Sequence, residues 1–239
     1  MKTTNTLKVT KRASEERGET DIGWLNSRHS FSFGGYMDPA YVGFRNLRVI
    51  NEDKVAAGKG FGRHPHRLME IISYVIEGEL KHEDSMGNGR VIKAGEFQYM
   101  SAGTGVSHSE LNPQHDKPTH FLQIWIQPND GGGEPRYQDF DTAEKRVKNG
   151  LSLLASPDGE AGSAEIRQTA QIYFGDLESG AIIDVPANET YPYAWIQMIK
   201  GGVTVGDVDL AAGDGAAIEG SAFTIDGAEA AEFLLFRLS

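Results

Sequence analysis

The sequence predicts an all-β protein made of two similar barrels or sandwiches, because short β segments and glycine turns fill almost the whole chain. Segments rich in Val, Ile, Phe and Tyr alternate with turns at close spacing, which is typical of these architectures. The 29 glycines far outnumber the 9 prolines, as expected where many tight turns are needed. A break near the middle and a faint internal repeat indicate two halves.

The predicted strands follow one another along the chain, and a single segment has a helical pattern. The clearest strands are Gly43–Ile50, Ile71–His82, Gly95–Met100, Thr119–Gln127, Ala194–Ile199 and Glu232–Leu238. The turn Asp84–Gly89 contains Asn-Gly, which accepts the positive φ values of tight hairpins. Asp141–Asn149 is the candidate helix, with Asp141 as its cap.

The boundary between the halves is predicted at Pro128–Gly133, where Pro-Asn-Asp-Gly-Gly-Gly interrupts the β pattern. We therefore predict one domain over residues 1–130 and another over residues 131–239. The repeat pairs two segments of the first half with two of the second: Ile76–Leu80 and Ile92–Glu96 with Ile199–Val203 and Leu210–Asp214.

Composition and charge exclude several classes of function. The chain has no cysteine, which rules out disulfides, thiolate metal sites and thiol nucleophiles. Its net charge of -11 and the lack of a Lys/Arg run argue against direct nucleic-acid binding. The polar start Met1–Thr20 lacks the apolar run of a signal peptide, and no apolar stretch approaches the ~18 residues of a membrane helix. We expect a soluble, cytoplasmic protein.

The histidines predict a metal site. All seven precede residue 121, and two pairs, His64/His66 and His108/Glu110, share an i, i+2 spacing. That spacing places both side chains on one face of a strand. Two such pairs on facing strands would bring three imidazoles and one carboxylate together, although each pair alone is also common on exposed strands. Imidazole suits Fe, Ni, Cu or Zn.

These residues stand in a series that resembles the pirin family of the cupin superfamily, and most closely its bacterial pirin-like quercetin 2,3-dioxygenase group. The resemblance covers most of residues 20–137 and is carried by Gly23–Leu25, His29–Gly34, Arg63–Glu70, Tyr74–Gly78, Ala94–Gln98, Met100–Gly105 and His108–Glu110. It implies a bicupin fold of two antiparallel double-stranded β-helix (jelly-roll) barrels packed against each other. Ser101 departs from the general cupin pattern, in which proline is usual.

The resemblance implies four metal ligands, which are His64, His66, His108 and Glu110. In many cupins the acidic ligand instead follows the first histidine pair, where this chain has Glu70, and strand periodicity alone does not choose between them. The pirin pattern favours Glu110. It also implies one divalent ion per chain, with Fe(II) preferred and Ni, Mn, Co, Cu or Zn compatible. No histidine follows His120, so the second half cannot build another imidazole site and is expected to be a degenerate barrel.

The resemblance further implies an enzyme that opens the ring of a flavonol such as quercetin, consuming dioxygen and releasing carbon monoxide. Glu110 would take the proton of the flavonol 3-hydroxyl. Two alternatives stay open. One is a metal- or redox-sensing regulator that acts through protein partners, and the other is a cupin isomerase acting on a sugar or small acid.

The remaining histidines and several aromatic residues are given structural roles. We expect His82, near the hairpin turn, to be exposed to solvent, and His115 to lie in a loop. His29 and His120 are expected to support the barrel or to orient a ligand. Four further residues would fill the barrel or line its pocket: Phe33, Tyr99, Gln123 and Trp125.

Overall fold

The computed structural model describes residues 7–130, 132–220 and 222–239, and strands make up most of them. Gly131, inside the predicted Pro128–Gly133 boundary, and the first six residues of the polar start lie outside the described residues. The helices in this part of the chain are short 3₁₀ turns at Ser14–Glu16, Thr142–Lys145 and Glu160–Gly162. No described helix has the length and apolar character needed to cross a membrane.

The strands are numbered in chain order. They are β1 (Lys8–Arg12), β2 (Gly18–Asp21), β3 (Leu25–His29), β4 (Leu47–Val55), β5 (Gly60–His66), β6 (Glu70–Glu77), β7 (Glu79–Asp84), β8 (Gly89–Lys93), β9 (Glu96–Ser101), β10 (Val106–Leu111), β11 (Thr119–Ile126), β12 (Arg136–Asp141), β13 (Gly150–Ser156), β14 (Ala164–Glu165), β15 (Ala170–Leu177), β16 (Ile182–Val185), β17 (Tyr193–Lys200), β18 (Gly202–Val205), β19 (Val208–Ala211), β20 (Gly215–Glu219), β21 (Phe223–Gly227) and β22 (Ala231–Leu238).

The first compact unit comprises residues 17–143 and 166–168. It contains a seven-stranded sheet in the order β12-β9-β6-β11-β4-β3-β2 and a four-stranded sheet in the order β5-β10-β7-β8. The central strand β6 is buried along nearly its whole length, as expected where apolar residues run without alternation. One hydrophobic core cluster of this unit comprises Leu25, Val55, Val75, Leu80, Ile92 and Phe121.

The second unit comprises residues 144–165, 169–239 and the N-terminal segment through Glu16. Its sheets have the orders β1-β20-β17-β22-β15-β13-β14 and β16-β21-β18-β19, so each strand has a counterpart at the same place in the first unit. The repeat glycines also correspond, since Gly78 and Gly201, and Gly95 and Gly213, all adopt positive φ at matching turns. Two similar all-β halves are therefore confirmed.

The division between the units lies after residue 143, whereas the sequence predicted it after Asp130. The reason is that β12 continues the first unit, where it pairs with β9 from Arg136↔Ser101 to Asp141↔Glu96. In the second unit, the place equivalent to β12 is taken by β1, which pairs with β20. Each seven-stranded sheet thus has at one edge a strand that the internal repeat does not include, which is β12 in the first unit and β1 in the second.

Two local predictions need correction. The helix expected over Asp141–Asn149 is wrong: β12 runs to Asp141, one 3₁₀ turn follows, and Asn149 turns the chain at φ 53°. Asp141 does cap that turn, because its carboxylate accepts the Ala143 N–H at 2.8 Å.

The predicted hairpin between β7 and β8 is confirmed, but its positive φ belongs to Gly87 rather than to Asn88.

Candidate metal centre

The edge strand β5 and its neighbour β10 bring the predicted histidines together. In their antiparallel register His64 faces His108, and His66 faces Val106. The i, i+2 spacing sends His64 and His66 to one face, and Pro65 between them costs no sheet hydrogen bond because proline is tolerated on an edge strand. The local sequence therefore builds the cluster without special backbone geometry.

The three imidazoles of His64, His66 and His108 form a close triangle. Their ring centroids are 4.5–4.9 Å apart, and candidate ligand nitrogens from all three lie within 4.8 Å of one another. The Nε2 atoms of His64 and His108 are 3.1 Å apart. Two nitrogens bound about 2.1 Å from one ion, with an angle of roughly 90–110° between them, would be about 3.0–3.4 Å apart. The triangle has the dimensions of a metal site.

A hydrogen bond on the outer side of the His64 ring orients that ring. The Nδ1 of His64 donates to the Gly62 carbonyl at 2.7 Å, because a carbonyl oxygen can only accept, and this leaves Nε2 to hold the lone pair of the neutral ring. The Nε2 of His108 lies 3.1 Å away, so one cation can be shared between the two nitrogens. The Nδ1 of His108 lies 3.5 Å from His82 Nδ1.

His82 is fully buried, so its predicted exposure is wrong. Its Nε2 donates to Asp84 Oδ2 at 3.2 Å, and its Nδ1 accepts from Gln98 Nε2 at 3.1 Å. Asp84 stays ionised because hydrogen bonds from Asn88, His82 and Met86 outweigh partial burial and lower its pKa. Asp84 and Gln98 thus fix the tautomer of His82, whose ring packs beside that of His108 with centroids 5.3 Å apart. The sequence did contain a signal for this burial. Along β7 the residues Leu80, His82 and Asp84 alternate with charged residues, which indicates that these three share the inward face of the strand.

Glu110 lies beside this cluster, after a bulge in the register between His108 and Glu110. Its carboxylate is 1% exposed and accepts hydrogen bonds from Ser73 Oγ at 2.8 Å and from Gln123 Nε2 at 2.6 Å. Its ligand atoms group within 4.8 Å with those of His108 and His82, not with the complete triangle. Its role as the fourth ligand stays a prediction.

Burial keeps the imidazoles neutral. It lowers the pKa of His66 to about 4 and that of His108 to about 3, and in both cases the neighbouring histidines lower the pKa further. Neutral imidazole is the form that binds a metal ion. At neutral pH these rings are therefore ready to bind an ion rather than to repel one.

Glu70, the alternative acidic ligand, is engaged elsewhere. It accepts hydrogen bonds from the Tyr99 hydroxyl, from Ser101 Oγ at 2.6 Å and from the Arg167 N–H at 3.0 Å. Ser101, which replaces the usual proline, also accepts from Arg167 Nη1 at 3.1 Å. Glu70 belongs to neither group of candidate ligand atoms in the described residues. Its contacts tie the segment 166–168 to β6 and β9.

A cavity of about 200 Å³ adjoins Glu110 inside the first unit. Strands β3, β4 and β11 supply much of its lining, together with the loop after β3. The lining residues include Phe33 and Trp125, as the sequence suggested, and the full set is Thr20, Leu25, Ser27, His29, Phe33, Gly34, Gly35, Asn51, Asp53, Phe61, Glu110, Gln123 and Trp125.

Two adjacent carboxyls on β4 have opposite surroundings. Glu52 bonds to Arg17 and accepts from His120 Nε2 at 2.9 Å; although burial opposes it, these partners lower the pKa of Glu52 to about 2. Asp53 points into the cavity, and burial raises its pKa to about 7, while Ser27 hydrogen-bonds to it and partly offsets the shift. Neither carboxyl belonged to a recognisable motif, so sequence reasoning missed both.

His29 and His120 take supporting positions, in keeping with their expected roles. His29 Nδ1 lies 2.8 Å from Asn51 Oδ1, and its Nε2 lies 2.9 Å from Thr20 Oγ1. His120 pairs with Glu52. His115 lies exposed in the loop between β10 and β11, as predicted.

Comparison with known families gives one match in each half of the chain. The Pirin family model matches residues 10–126, and the model of the Quercetinase C-terminal cupin domain matches residues 153–238. A protein of Escherichia coli strain K12 named quercetin 2,3-dioxygenase is 44% identical over 232 residues, which cover 95% of this chain and 97% of that protein.

Solved structures agree with the sequence matches. YhhW from Escherichia coli has a TM-score of 0.93 and 42% identity, covering 97% of this chain and 98% of its own. The structure of that bacterial pirin in complex with nickel(II) has a TM-score of 0.92 and covers 97% and 99% of the two chains. These similarities confirm the cupin fold predicted for the two halves.

The raised pKa of Asp53 predicts a pH-dependent gain in stability for Asp53→Asn. Between the ordinary value of 3.8 and about 7, the folded state binds more protons than the unfolded state, so wild-type stability falls as pH rises. Asparagine does not ionise, so the Asp53→Asn variant does not lose stability in this way as pH rises. Its free energy of unfolding should exceed that of the wild type increasingly from pH 4.5 to 7.5, by up to roughly 4 kcal/mol.

Urea unfolding at pH 4.5 and at pH 7.5 measures this difference in the free energy of unfolding. The matched control is Asp116→Asn, in an exposed loop, which should show no pH-dependent difference from the wild type. A difference between Asp53→Asn and wild type that does not change with pH would contradict the assignment.

Proposed function

The chain belongs to the pirin family, and from that premise we propose that it is a metal-dependent dioxygenase that opens the heterocyclic ring of a flavonol such as quercetin. The reaction takes up dioxygen and releases carbon monoxide. The observation that carries the proposal is the triangle of imidazoles, His64, His66 and His108, beside the buried Glu110 and a cavity with aromatic walls. The E. coli relative named quercetin 2,3-dioxygenase supports the same reaction.

The donor set fits one divalent ion per chain. Three imidazole nitrogens and one carboxylate oxygen leave coordination positions open on a first-row metal, as oxygenases need. We propose Fe(II) as the physiological ion because of the oxygen chemistry; the nickel(II) complex of YhhW supports Ni(II) as another occupant, and Mn, Co, Cu and Zn also suit these ligands. When bound, the ion supplies a Lewis-acid centre that lowers the pKa of the flavonol 3-hydroxyl.

Glu110 is proposed to accept the proton of that hydroxyl. Ser73 and Gln123 each donate to a different oxygen of its carboxylate, so the group is held in one orientation. Each carboxylate oxygen has two lone pairs, which leaves capacity to accept a proton or to bind the ion. A base in hydrogen-bond contact with the proton contributes about 100- to 10,000-fold to the rate.

The surroundings of the site would limit the access of water. His108 and Glu110 are almost completely buried, whereas His64 and His66 are partly exposed; Trp125 packs edge-on against His66 with ring centroids 5.0 Å apart. Exclusion of water on the buried side strengthens each electrostatic interaction there and protects a reactive carbanion-like substrate from protonation by bulk water.

Removal of a proposed ligand or of the base should abolish turnover. In metal-reconstituted protein, His64→Ala and Glu110→Gln should each reduce quercetin-dependent oxygen uptake and carbon monoxide release by at least about 100-fold. The control His115→Ala, at an exposed loop histidine, should retain wild-type rates. If Fe(II)-loaded and Ni(II)-loaded wild-type proteins both fail to consume oxygen with a panel of flavonols, the dioxygenase proposal is wrong, and a sensor or an isomerase takes its place.

His82 should determine metal affinity through His108. Leucine at this position removes the polar ring whose Nδ1 lies 3.5 Å from His108 Nδ1, and loss of a polar partner beside a metal-binding histidine typically weakens binding 10- to 100-fold. We expect this loss for His82→Leu in competition with a chelator for Ni(II). His82→Asn, whose side-chain oxygen can occupy the place of Nδ1, should recover most of the affinity. Equal affinities for both variants would show that His82 serves packing alone.

A further inference from the structure

We propose that the cavity lined by Glu110 and Asp53 is a subsite for one phenolic ring, whose hydroxyl donates a hydrogen bond to the Asp53 carboxyl. The inference rests on the proposed function, because it names where one ring of the substrate lies and which group recognises it. It assigns Asp53 as a residue that selects hydroxylated substrates.

The size of the cavity fits one ring. Its volume is about 200 Å³, and an engineered apolar cavity of about 150 Å³ in another protein admits benzene. A substituted benzene ring therefore fits, whereas the three rings of a complete flavonol do not. One ring occupies the cavity, and we place the rest of the molecule on the side of Glu110, the lining residue whose carboxylate also groups with His108.

The walls of the cavity connect it to the imidazole triangle. Trp125 lines the cavity and stands edge-on to Phe33, with centroids 5.5 Å apart, and to His66, with centroids 5.0 Å apart. Phe61 contributes another aromatic surface to the lining. Aromatic rings pack favourably in such edge-to-face arrangements. A ring held here has one neighbour, Trp125, in common with the proposed metal ligand His66.

Most polar side chains of the lining are engaged with one another; in the described residues the exceptions are the indole N–H of Trp125 and the Oδ1 atom of Asp53. His29 contacts Asn51 at 2.8 Å and Thr20 at 2.9 Å, and Gln123 donates to Glu110 at 2.6 Å. These groups have little capacity left to recognise a substrate.

Asp53 differs from these groups. Its side chain is 3% exposed, and among the described residues no partner lies within hydrogen-bond distance of its Oδ1 atom. A buried carboxyl oxygen without a partner destabilises the fold. Beside a cavity, such an oxygen can be satisfied by a bound ligand, and function and stability often oppose each other at binding sites.

A hydroxyl group is the ligand that matches this carboxyl. Phenolic O–H can donate to Oδ1 and can also accept, and the pKa of Asp53 near 7 means that both forms of the carboxyl are present close to neutral pH. A methyl group at the same place would leave Oδ1 unsatisfied. Sites built to bond a hydroxyl reject analogues that lack it.

The direct test measures binding of phenol and of toluene, its isostere without the hydroxyl, to the full metal-loaded chain. With diamagnetic Zn(II) bound, the indole N–H resonance of Trp125 reports occupancy by NMR, and Trp125→Phe assigns it among the three tryptophans. Asp53→Leu should reduce the affinity for phenol relative to toluene by about tenfold. Asp53→Asn, which keeps a carbonyl oxygen, should retain most of the preference.

Glu52→Gln is the matched control, because Glu52 is the adjacent carboxyl on β4 and does not line the cavity; its phenol-to-toluene ratio should equal that of the wild type. A ratio that is unchanged in Asp53→Leu, or a Trp125 resonance that neither probe shifts, would overturn the subsite.

A second measurement separates this inference from the proposed reaction. If flavonols are turned over, the ratio of kcat/KM for quercetin to that for 3-hydroxyflavone, which lacks the other hydroxyls, should fall about tenfold in Asp53→Leu. An unchanged ratio would overturn the inference while leaving the dioxygenase intact. If no flavonol is turned over and phenol still requires Asp53 for its preference over toluene, the subsite stands and the proposed reaction fails.

Discussion

The register of β10 between its two neighbours is the constraint on which the site depends. On one side β10 pairs with β5 and sets His108 opposite His64; on the other it pairs with β7 and sets Glu110 opposite His82. A slip of one residue would turn every one of these side chains to the other face of the sheet. The buried alternation along β7 and β10 opposes such a slip, because it would expose the apolar residues of the same faces. Core packing therefore holds the polar cluster in place.

The same burial determines the charge state of the site. Burial keeps His66 and His108 neutral, and the hydrogen bond from His64 Nδ1 to the Gly62 carbonyl directs the Nε2 lone pair of His64 inward. The buried carboxyls differ from one another in the number of hydrogen-bond donors that contact them. Asp84 and Glu110 each accept several hydrogen bonds, whereas Asp53 keeps one oxygen without a partner in the described part of the chain. Burial together with the number of hydrogen-bond partners thus produces neutral imidazoles, carboxyls that are held in one orientation, and one carboxyl that is open to a ligand.

Much of this arrangement could be predicted from the sequence, and the failures have identifiable physical causes. The i, i+2 pairs identified the imidazole triangle because strand periodicity is local. His82 was missed because a turn motif next to it suggested exposure, although the alternation with Leu80 indicated the opposite. Asp53 carries no motif, since its character comes from strands distant in sequence. The helix at Asp141–Asn149 failed because β12 pairs with β9, a tertiary contact that overrides local propensity, and the same pairing moved the boundary between the units.

The central claim is that His64, His66 and His108 hold one metal ion together with Glu110. X-ray absorption spectroscopy on protein loaded with a single equivalent of Fe(II) under nitrogen tests it most directly, because imidazole rings give a distinctive multiple-scattering pattern. The account predicts three imidazole nitrogens at about 2.0–2.2 Å with oxygen completing the shell, and a change to two imidazoles in His64→Ala. A shell with one imidazole or none, or a spectrum that His64→Ala leaves unchanged, would contradict it.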